Sequence, residues 1–351
     1  QEMTERIPVT IWGATGFAGA ELLRIFARHP HFEVIGAVSR SKAGTSVGAV
    51  HPHLRHVYND LTFISPEDAA SLSAAAAFLA LPHRASAQEA VRRLDAGERV
   101  VDLSADFRLR SAEEYKNWYG VDHPAPELLS EAVYGLPELH RAEMASARLV
   151  SGVGCNATSA ITALLPLARA GLIEEARIEC RVGSSEAGAN ADEGSAHAMR
   201  SRALRVVNPF VHRHMAEVVQ ELSLAQSSFT MGVTAVELVR GIQCLAHVTL
   251  NRPVREAEVW KLYRAAWNGE PFVSFTPAKP AHFRIPDPRF VVGSNRVLTG
   301  FMLAEDGRRM IAASAIDNLM KGAAGSAVQC ANLMFGLPET EGLDMMPVYP
   351  A

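Results

Sequence analysis

The sequence has no long apolar run, no strong excess of charge of one sign and few cysteines. None of its segments reaches the roughly 18 consecutive apolar residues of a membrane span, which argues against an integral membrane protein. Its 34 basic and 38 acidic residues give a net charge of −4, whereas dedicated nucleic-acid binders usually carry a basic excess. The cysteines lack metal-ligand spacing and predict reduced thiols in the cytoplasm: Cys155, Cys180, Cys244 and Cys330.

With 351 residues, of which 48% are hydrophobic, the chain can bury the cores of roughly two domains. Residues 1–154 alternate short apolar runs with helical patterns, which predicts an α/β dinucleotide-binding domain with a doubly wound parallel (Rossmann-type) sheet. Residues 155–317 carry longer strands rich in β-branched residues, which predict an α+β domain with a mixed or antiparallel sheet. A last helix begins near residue 318, and the segment 318–351 is expected to complete the first domain. Residues 1–6 are polar and leave no room for a signal peptide.

A glycine-rich segment, Gly13-Ala-Thr-Gly16-Phe-Ala-Gly19, follows the first predicted strand and begins the first predicted helix. Glycines at such a turn let backbone N–H groups approach a pyrophosphate, and the helix N-terminus favours its negative charge. The spacing departs from the usual G-x-G-x-x-G, so a strand-to-helix turn without a ligand is the alternative. Because it lies between a strand and a helix, the segment predicts nucleotide binding.

The second predicted strand ends at Val38-Ser39-Arg40-Ser41. A site that prefers NAD usually places an Asp or Glu here for the ribose 2′-hydroxyl. This chain offers hydroxyls and a guanidinium instead, which suit a 2′-phosphate, although a solvated surface arginine would also explain Arg40. We therefore expect NADP(H) as the cofactor.

Cys155 differs from the other cysteines in its surroundings. It follows Ser151-Gly-Val-Gly154 and precedes an apolar helix predicted over residues 160–170. A thiol at a helix N-terminus gains thiolate character, and the free N–H groups there can stabilise an oxyanion. Most single cysteines are buried structural residues, and that is the expectation for the other three, which lie within strand or helix patterns.

A nucleophilic thiol needs an acid/base partner, and the densest ionisable cluster in the chain is His212-Arg213-His214 with Glu217. Glu217 falls one helical turn beyond His214, where it could orient the ring or bind a substrate ammonium. The alternative is a solvated loop without catalytic function.

Five short motifs occur in the same order as in one protein family and are spread over nearly the whole chain. They are Gly-Ala-Thr-Gly-Phe (13–17), Val-Asp-Leu-Ser-Ala-Asp-Phe-Arg-Leu (101–109), Gly-Cys (154–155), His-Arg-His (212–214) and Asp-Asn-Leu-Met-Lys-Gly-Ala-Ala-Gly (317–325). On these motifs the sequence resembles the N-acetyl-γ-glutamyl-phosphate reductases, relatives of the aspartate-semialdehyde dehydrogenases. The resemblance implies a semialdehyde-dehydrogenase-like fold, with Cys155 at the domain junction and the C-terminal helix against the nucleotide domain.

One departure from the family pattern is informative. The chain has Gly-Cys155-Asn156-Ala-Thr158, where the arginine-pathway enzymes usually have Gly-Cys-Tyr-Pro-Thr. This variant, together with Ile-Pro-Asp-Pro-Arg-Phe (285–290) and Gly-Leu-Asp (342–344), is similar to the lysine-biosynthesis branch. In that branch the substrate is an α-aminoadipate 6-phosphate tethered through its amino group to a small acidic carrier protein.

The resemblance also implies roles for individual residues. Cys155 is the expected nucleophile, and His214 or His212 is the acid/base. His214 is favoured because related dehydrogenases have their catalytic histidine in a similar His-x-x-Glu context. The residues expected to bind substrate are Asp106, Arg108, Asn156, Glu217, Arg202 and Arg205. Those expected at the NADP site are Gly13, Thr15, Gly16, Phe17, Ala18, Ser39, Arg40, Ser41 and Asn318.

Two of these assignments have structural alternatives. Arg108 could equally form a structural ion pair. The basic run Arg200, Arg202, Arg205 and Arg213 is either a solvated face or a surface that recognises phosphate or an acidic carrier, since opposite charge speeds encounter.

The expected reaction is NADPH-dependent reduction of a carrier-linked α-aminoadipyl 6-phosphate to the semialdehyde, with release of phosphate through a cysteine thioester. The alternatives are the arginine-pathway reductase acting on N-acetylglutamyl phosphate, a bifunctional enzyme and, in another class, a non-catalytic NADP(H)-sensing protein. We expect a homodimer or homotetramer, because the large second sheet and the family both favour one. The expected partner is the acidic carrier protein, with no nucleic acid, metal or membrane.

Overall fold

The computed structural model describes residues 6–190, 192–277 and 279–350. Most of the polar N-terminal segment, residues 1–5, lies outside the described residues. The chain divides into two compact units, Gln1–Val153 with Ala323–Asp344, and Gly154–Gly322 with Met345–Ala351. Of the C-terminal segment expected in the first domain, residues 318–322 and 345–351 instead group with the second unit.

Within the described residues, the first unit forms one sheet from strands β1 (Ile7–Trp12), β2 (Phe32–Val38), β3 (Phe63–Ile64), β4 (Ala76–Leu79), β5 (Arg99–Asp102), β6 (Val133–Tyr134) and β7 (Leu149–Ser151). Their order across the sheet is β3-β2-β1-β4-β5-β7-β6, and all neighbouring strands run parallel. The order reverses between β1 and β4, which is the arrangement of a doubly wound nucleotide-binding sheet. The predicted Rossmann-type sheet is confirmed.

Helices cover this sheet: α1 (Phe17–Phe26), α2 (Val47–Val50), α3 (Pro66–Ala69), α4 (Ala85–Asp95), α5 (Ala112–Tyr119) and α6 (Pro137–Met144). Because parallel strands are covered on both faces, their side chains are apolar almost without interruption, and all four residues of β4 are buried. Phe26 of α1 packs edge-to-face on Phe32 and Phe78, with ring centroids 5.6 and 5.0 Å away. These contacts fix the helix that follows the glycine turn against the sheet.

The second unit contains strands β8 (Ile173–Val182), β9 (Leu204–Asn208), β10 (Phe229–Val236), β11 (Ile242–Leu250), β12 (Val273–Phe275), β13 (Val297–Leu303) and β14 (Arg309–Ile316). Within the described ranges they form one sheet of order β12-β13-β14-β11-β8-β10-β9. The β8–β10 and β12–β13 pairs are parallel and the other pairs antiparallel. The predicted mixed sheet is confirmed, although β9, β12 and β13 were not predicted from the sequence.

The helices of this unit are α7 (Cys155–Arg169), α8 (His197–Arg200), α9 (Met215–Leu222) and α10 (Glu256–Trp267). Helix α7 is buried over most of its length and packs on β11 and β14, where the Ser159 and Ser314 hydroxyls are 2.9 Å apart. It begins at Cys155, five residues before the predicted start at residue 160. The polar residues of its first turns fit a helix because the Thr158 and Thr162 hydroxyls donate to carbonyls four residues earlier.

A π-helical turn, Met320–Ala324, leads into α11 (Gly325–Met334), where the sequence predicted a single helix over residues 318–335. Helix α11 belongs to the first unit and packs against α6 and β5. The Arg99 guanidinium donates to the Met334 carbonyl and lies 4.5 Å from the centre of the Phe335 ring. No helix among the described residues has the length and apolar character needed to cross a bilayer.

Candidate active site

The glycine turn between β1 and α1 is built for close backbone approach. Gly13 has a φ of +79°, and a Cβ there would overlap the Ala80 carbonyl oxygen. A Cβ on Gly19 would lie 2.5 Å from the Ala14 Cα. A Cβ on Gly16 would lie no closer than 3.7 Å to any of its neighbours, the nearest being the Gly13 carbonyl oxygen. Two of the glycines are therefore required by the chain path, and the third keeps the space at the α1 N-terminus open.

The N-terminus of α1 fits a phosphate. Gly16 is its N-cap, and no side chain of the described residues caps it or places a carboxylate in its first turn. Thr15, Gly16 and Ala18 are partly exposed, and Phe17 is 42% exposed. Uncapped N–H groups at a helix N-terminus bind anions through hydrogen bonds and the helix dipole. The residues present thus suit the pyrophosphate of a dinucleotide.

The end of β2 lies beside this turn. The N–H groups of Gly13 and Ala14 donate to the Val38 carbonyl at 3.1 and 3.2 Å. Ser39 is buried, whereas Arg40 and Ser41 are exposed. The structure therefore brings the two predicted cofactor segments together at the carboxyl edge of the first sheet, with a free-standing guanidinium and no carboxylate among residues 39–41.

Three residues of the 101–109 motif form a buried polar cluster. Asp102 accepts hydrogen bonds from the Ser86 hydroxyl at 2.5 Å, the Ser104 hydroxyl at 2.7 Å and the Ser104 N–H at 3.0 Å. The Asp106 N–H in turn donates to the Ser104 hydroxyl oxygen. Burial of the carboxyl raises the pKa of Asp102 to about 6, against the opposing effect of these hydrogen bonds.

This shift predicts a pH dependence of stability. Because the folded state holds the Asp102 proton more tightly than the unfolded chain does, its contribution to stability is full below about pH 4. That contribution is lost as the pH rises through about 6. Asp102→Asn should therefore flatten the pH dependence of the urea midpoint between these limits. The exposed Asp60→Asn is the matched control and should follow the wild type. Parallel profiles for Asp102→Asn and wild type would contradict the prediction.

The Asp106 carboxylate caps the N-terminus of helix α4. Its carboxylate accepts the N–H groups of Arg84 at 2.7 Å and Ala87 at 3.0 Å, at the N-terminus of α4, and the Tyr115 hydroxyl at 2.9 Å. Its exposed fraction is zero. Arg108 is also buried and donates to the Leu103 carbonyl at 3.2 Å. For both residues the geometry favours a structural role over the substrate contact that the resemblance implies.

Cys155 is the first residue of α7, with Gly154 as the N-cap in extended conformation. Of the four free thiols, it alone is partly exposed. Gly322, in the π-helical turn, approaches so closely that a Cβ there would lie 2.7 Å from the Cys155 Cβ. The thiol therefore lies at the positive end of a long buried helix, where N–H groups and the helix dipole favour the thiolate.

The predicted partner residues lie directly against the peptide that precedes the thiol. A Cβ on Gly154 would lie 2.8 Å from Cδ2 of His214 and would overlap Oε1 of Glu217. The Gly154 N–H donates to the Glu217 carboxylate at 2.8 Å. Glu217 is fully buried in the first turn of α9, which does not fit the substrate-ammonium contact considered from the sequence. Glu217 instead holds the loop before Cys155 and the helix that carries His214.

His212 and His214 face different surroundings. Their rings meet edge-to-face with centroids 4.6 Å apart, and the His214 N–H donates to Nδ1 of His212 at 3.2 Å. His214 is buried against Gly154, whereas His212 is half-buried and lines a cavity of about 390 Å³. The geometry therefore favours His214 as the imidazole next to the thiol.

The sequence missed a buried carboxyl beside the site. Asn156, the residue after Cys155, donates from its carboxamide to Glu186 at 2.8 Å. Burial raises the pKa of Glu186, although Asn156, Arg213 and Arg200 act in the opposite direction. Asn156 Oδ1, Glu186 Oε2 and Arg200 Nε are buried without a hydrogen-bond partner among the described residues. Glu186 belongs to no recognisable sequence motif. Only its separation from Cys155 along the chain could have indicated it.

The basic run of the sequence surrounds the cavity that His212 lines. Arg200, Arg205 and Arg213 line it together with Glu186. Arg202 is not among its lining residues; it is exposed and has a φ of +54°. The predicted substrate-binding residues Asn156, Arg202 and Arg205 are thus in one region of the second unit.

Asn318 and Asp317 act within the second unit. The Asn318 carboxamide accepts the Gly241 N–H at 2.7 Å and donates to the Ser185 hydroxyl at 2.9 Å, and its side chain is buried. These hydrogen bonds fix the orientation of the carboxamide, and the place of Asn318 in the nucleotide site, which the resemblance implies, stays a prediction. Asp317 is fully buried and pairs with Arg240 at 3.1 Å while accepting backbone N–H groups. It fixes the turn that brings Gly322 to Cys155.

The remaining cysteines are buried, as predicted. Cys180 and Cys244 are direct partners across the β8–β11 pair, and Cys330 lies in α11 with its thiol 3.4 Å from the Gly135 carbonyl. A hydrogen bond with Cys244 and burial raise the pKa of Cys180.

Models of two protein domains match the chain. The semialdehyde dehydrogenase NAD-binding domain matches residues 8–147, and the semialdehyde dehydrogenase dimerisation domain matches residues 155–318. Together they contain both the glycine turn and the thiol site. This chain belongs to the semialdehyde dehydrogenase family. The fold predicted by the resemblance is therefore confirmed.

Relatives of this family member are similar over almost its whole length. A protein of Saccharolobus solfataricus named as a phosphate reductase of LysW-linked L-2-aminoadipate and LysW-linked L-glutamate is 43% identical, over 99% of this chain and 100% of its own. A Thermomicrobium roseum protein is 45% identical over 98% of this chain and 99% of its own. Its provisional name is that of a LysW-linked L-2-aminoadipate 6-phosphate reductase. The resemblance to the lysine-biosynthesis branch is confirmed by these relatives.

Solved structures agree on the fold. Aspartate semialdehyde dehydrogenase II of Vibrio cholerae superposes with a TM-score of 0.69 at 18% identity, covering 95% of this chain and 99% of that one. The Candida albicans enzyme, solved with NADP, gives a TM-score of 0.66 at 13% identity, covering 94% and 99%. At these identities the likeness supports the semialdehyde dehydrogenase fold alone.

Proposed function

We propose that this chain reduces an α-aminoadipyl 6-phosphate, carried on an acidic carrier protein, to the semialdehyde with NADPH and releases phosphate, a step of lysine biosynthesis. The observation that carries the proposal is the thiol of Cys155 at the first position of α7, with the His214 ring against Gly154. The names of the relatives, at 43 to 45% identity over nearly the whole chain, supply the substrate class.

Cys155 performs the covalent step. Its thiolate attacks the acyl carbonyl, the C–S bond forms, and the C–O bond to phosphate breaks as inorganic phosphate leaves. N–H groups of the first turn of α7 stabilise the oxyanion of the tetrahedral intermediate. A thioester is formed because a sulfur leaving group keeps the acyl carbon electrophilic while water is excluded.

NADPH, when bound, supplies the hydride that converts the thioester to the oxidation level of the aldehyde. His214 moves the proton: it takes the thiol proton before attack and returns a proton to the sulfur as the C–S bond breaks and the aldehyde is released. Glu217 holds the loop before Cys155 through the Gly154 N–H, so that thiol and imidazole keep their positions. Gly13 to Ala18 would hold the pyrophosphate, and Ser39, Arg40 and Ser41 the ribose phosphate.

The preference for NADPH is predicted to depend on Arg40. A guanidinium–phosphate contact is a charge-assisted hydrogen bond, so Arg40→Asp should raise KM for NADPH by about tenfold or more and leave KM for NADH unchanged or lower. Steady-state kinetics with NADPH and with NADH give the ratio of the two KM values. Arg92→Asp, with the same charge change on an exposed position of α4, is the control. An unchanged NADPH-to-NADH ratio in Arg40→Asp would contradict this assignment.

The substrate is tested in the reverse direction, as NADP⁺ reduction in the presence of phosphate. The two aldehydes compared are carrier-linked aminoadipate semialdehyde and N-acetylglutamate semialdehyde. Faster turnover of the carrier-linked compound supports the proposal, and faster turnover of the N-acetylated compound assigns the arginine-pathway reaction. A second candidate, activity on carrier-linked glutamyl phosphate as well, is favoured by the dual name of the Saccharolobus relative and is tested by adding the carrier-linked glutamate semialdehyde. Absence of any phosphate-dependent reduction, with NADPH still bound, would identify an NADP(H)-sensing protein.

The second family model is named for dimerisation and matches residues 155–318, which supports an oligomer. We propose a homodimer or homotetramer. Sedimentation velocity of the intact chain distinguishes these from a monomer.

A further inference from the structure

Strand β9 is an edge strand that carries exposed apolar side chains within a basic region. It is the last strand on one side of the second sheet and pairs only with β10 within the part of the chain that the structure describes. An edge strand presents N–H and C=O groups that a further strand can pair with. The opposite edge strand, β12, is half-buried at all three of its positions. The two edges of the same sheet are therefore not equivalent.

Apolar side chains are exposed along β9 and the residues that follow it. Leu204 is 82% exposed and Val206 61%, although both belong to a strand. Phe210 is 68% exposed, and Val207 and Val211 are also exposed. Clustered exposed apolar residues mark interaction surfaces in folded proteins. We call Leu204, Val206, Val207, Phe210 and Val211 the β9 surface.

The β9 surface lies within a basic region. Arg202 precedes the strand and Arg205 is part of it, while Arg200 and Arg213 line the adjoining cavity. The carboxylates that line the same cavity are Asp192 and Glu186, fewer than the arginines. Two copies of this strand paired with each other would bring like charges together, which is unfavourable. The charge therefore favours an acidic partner over a second copy of this chain.

The cavity connects this surface with the residue beside the thiol. Arg205, Val207 and Asn208 of β9 line it on one side, and Glu186 lines it as well. Glu186 binds Asn156, which follows Cys155 in the chain. Glu186 Oε2 and Arg200 Nε, both buried in its wall without a partner among the described residues, are available for polar groups of an entering chain. A partner bound along β9 is thus positioned to extend its tethered group toward the thiol.

We infer that the β9 surface is the docking site of the substrate-bearing carrier, which adds an acidic, partly apolar extended segment alongside β9. The inference rests on the proposed function for the identity of the partner. Main-chain pairing to the edge provides affinity, the apolar side chains provide contact area, and the arginines select an acidic segment.

The test compares Leu204→Asp and Val206→Asp with wild type in phosphate-dependent NADP⁺ reduction. Two aldehydes are used: carrier-linked aminoadipate semialdehyde and the untethered N-acetyl-aminoadipate semialdehyde. We expect KM for the carrier-linked aldehyde to rise about tenfold or more in each variant, as for truncation of a central interface residue. The kcat/KM for the untethered aldehyde should stay within about twofold of wild type, since neither side chain lies in the catalytic machinery. Val57→Asp, an exposed apolar position of the first unit, and Lys261→Glu on α10 are the controls.

Three results would overturn the inference. Unchanged kinetics with the carrier-linked aldehyde show that β9 does not dock the carrier. Equal losses with both aldehydes show that the substitutions damage the site itself. A change of oligomeric state in sedimentation, with an unchanged KM, shows that β9 pairs copies of this chain. If wild type turns over neither aldehyde, the proposed function fails separately, and titration calorimetry with the carrier protein alone decides the docking site. Weaker binding by Leu204→Asp then supports it, and unchanged binding rejects it.

Discussion

Cys155→Ser is expected to lower turnover by about a thousandfold or more while NADPH binding is retained, as for loss of a catalytic nucleophile. The serine hydroxyl keeps the size of the side chain, but it does not ionise near neutral pH as a thiol at a helix N-terminus does. Cys155 is the first residue of α7 and follows Gly154 in extended conformation, so the helix dipole favours its thiolate. The substitution removes thioester formation and leaves the glycine turn of the first unit untouched.

The measurements are the rate of phosphate-dependent NADP⁺ reduction and the quenching of protein fluorescence by NADPH. Cys330→Ser is the matched control, because this buried thiol lies in α11 and its replacement keeps a group able to donate to the Gly135 carbonyl. Iodoacetamide should modify native wild type at Cys155 first, since the other three thiols are buried. Wild-type rates in Cys155→Ser would reject the covalent route.

His214→Gln is expected to lower kcat by about a hundredfold to ten-thousandfold, the usual contribution of a general acid/base. The ring lies against Gly154, and the residue that carries it is the N-cap of α9. Glutamine fills the same space and can form hydrogen bonds, but it cannot take or give a proton near neutral pH. The pH profile of kcat should therefore lose the limb that reports the acid/base.

His212→Gln is the matched control, since this ring lies in the neighbouring cavity. We expect a smaller loss in kcat for His212→Gln than for His214→Gln, and the reverse order would assign the proton to His212. Gly154→Ala gives an independent check. Its Cβ would lie 2.8 Å from Cδ2 of His214 and would overlap Oε1 of Glu217, so it should displace both side chains and reproduce much of the His214→Gln loss without replacing an ionisable group.

Much of the fold could be predicted because its signals are local. Parallel strands buried on both faces have nearly continuous apolar sequences, and β1, β2, β4, β5 and β7 carry them. Strand β9 was not predicted, because an edge strand with arginine and exposed apolar residues has no alternation of buried and exposed side chains. The start of α7 was placed too late because its first turns are polar and only tertiary burial makes them helical.

In the candidate active site, too, the sequence identified residues whose signal is local and missed those that depend on distant contacts. Cys155 and the glycine turn were identified because each needs only its immediate neighbours in the chain. Asp106 was assigned to substrate, yet it caps α4 some 20 residues earlier in the chain, an interaction that no local pattern reveals. Glu186 was missed because its importance comes from its hydrogen bond with Asn156, 30 residues away, and from the cavity that Glu186 lines.

By itself the sequence determined that a glycine turn follows the first strand of a parallel α/β sheet and that a cysteine follows a glycine at the start of a buried helix. These features depend on backbone freedom and dipoles over a few residues. Only the tertiary structure decided that His214 and not His212 lies against Gly154, that Glu217 holds the loop before the thiol, and that β9 is left at the edge of its sheet. The reason is that these relations join residues tens of positions apart, and packing alone brings them into contact.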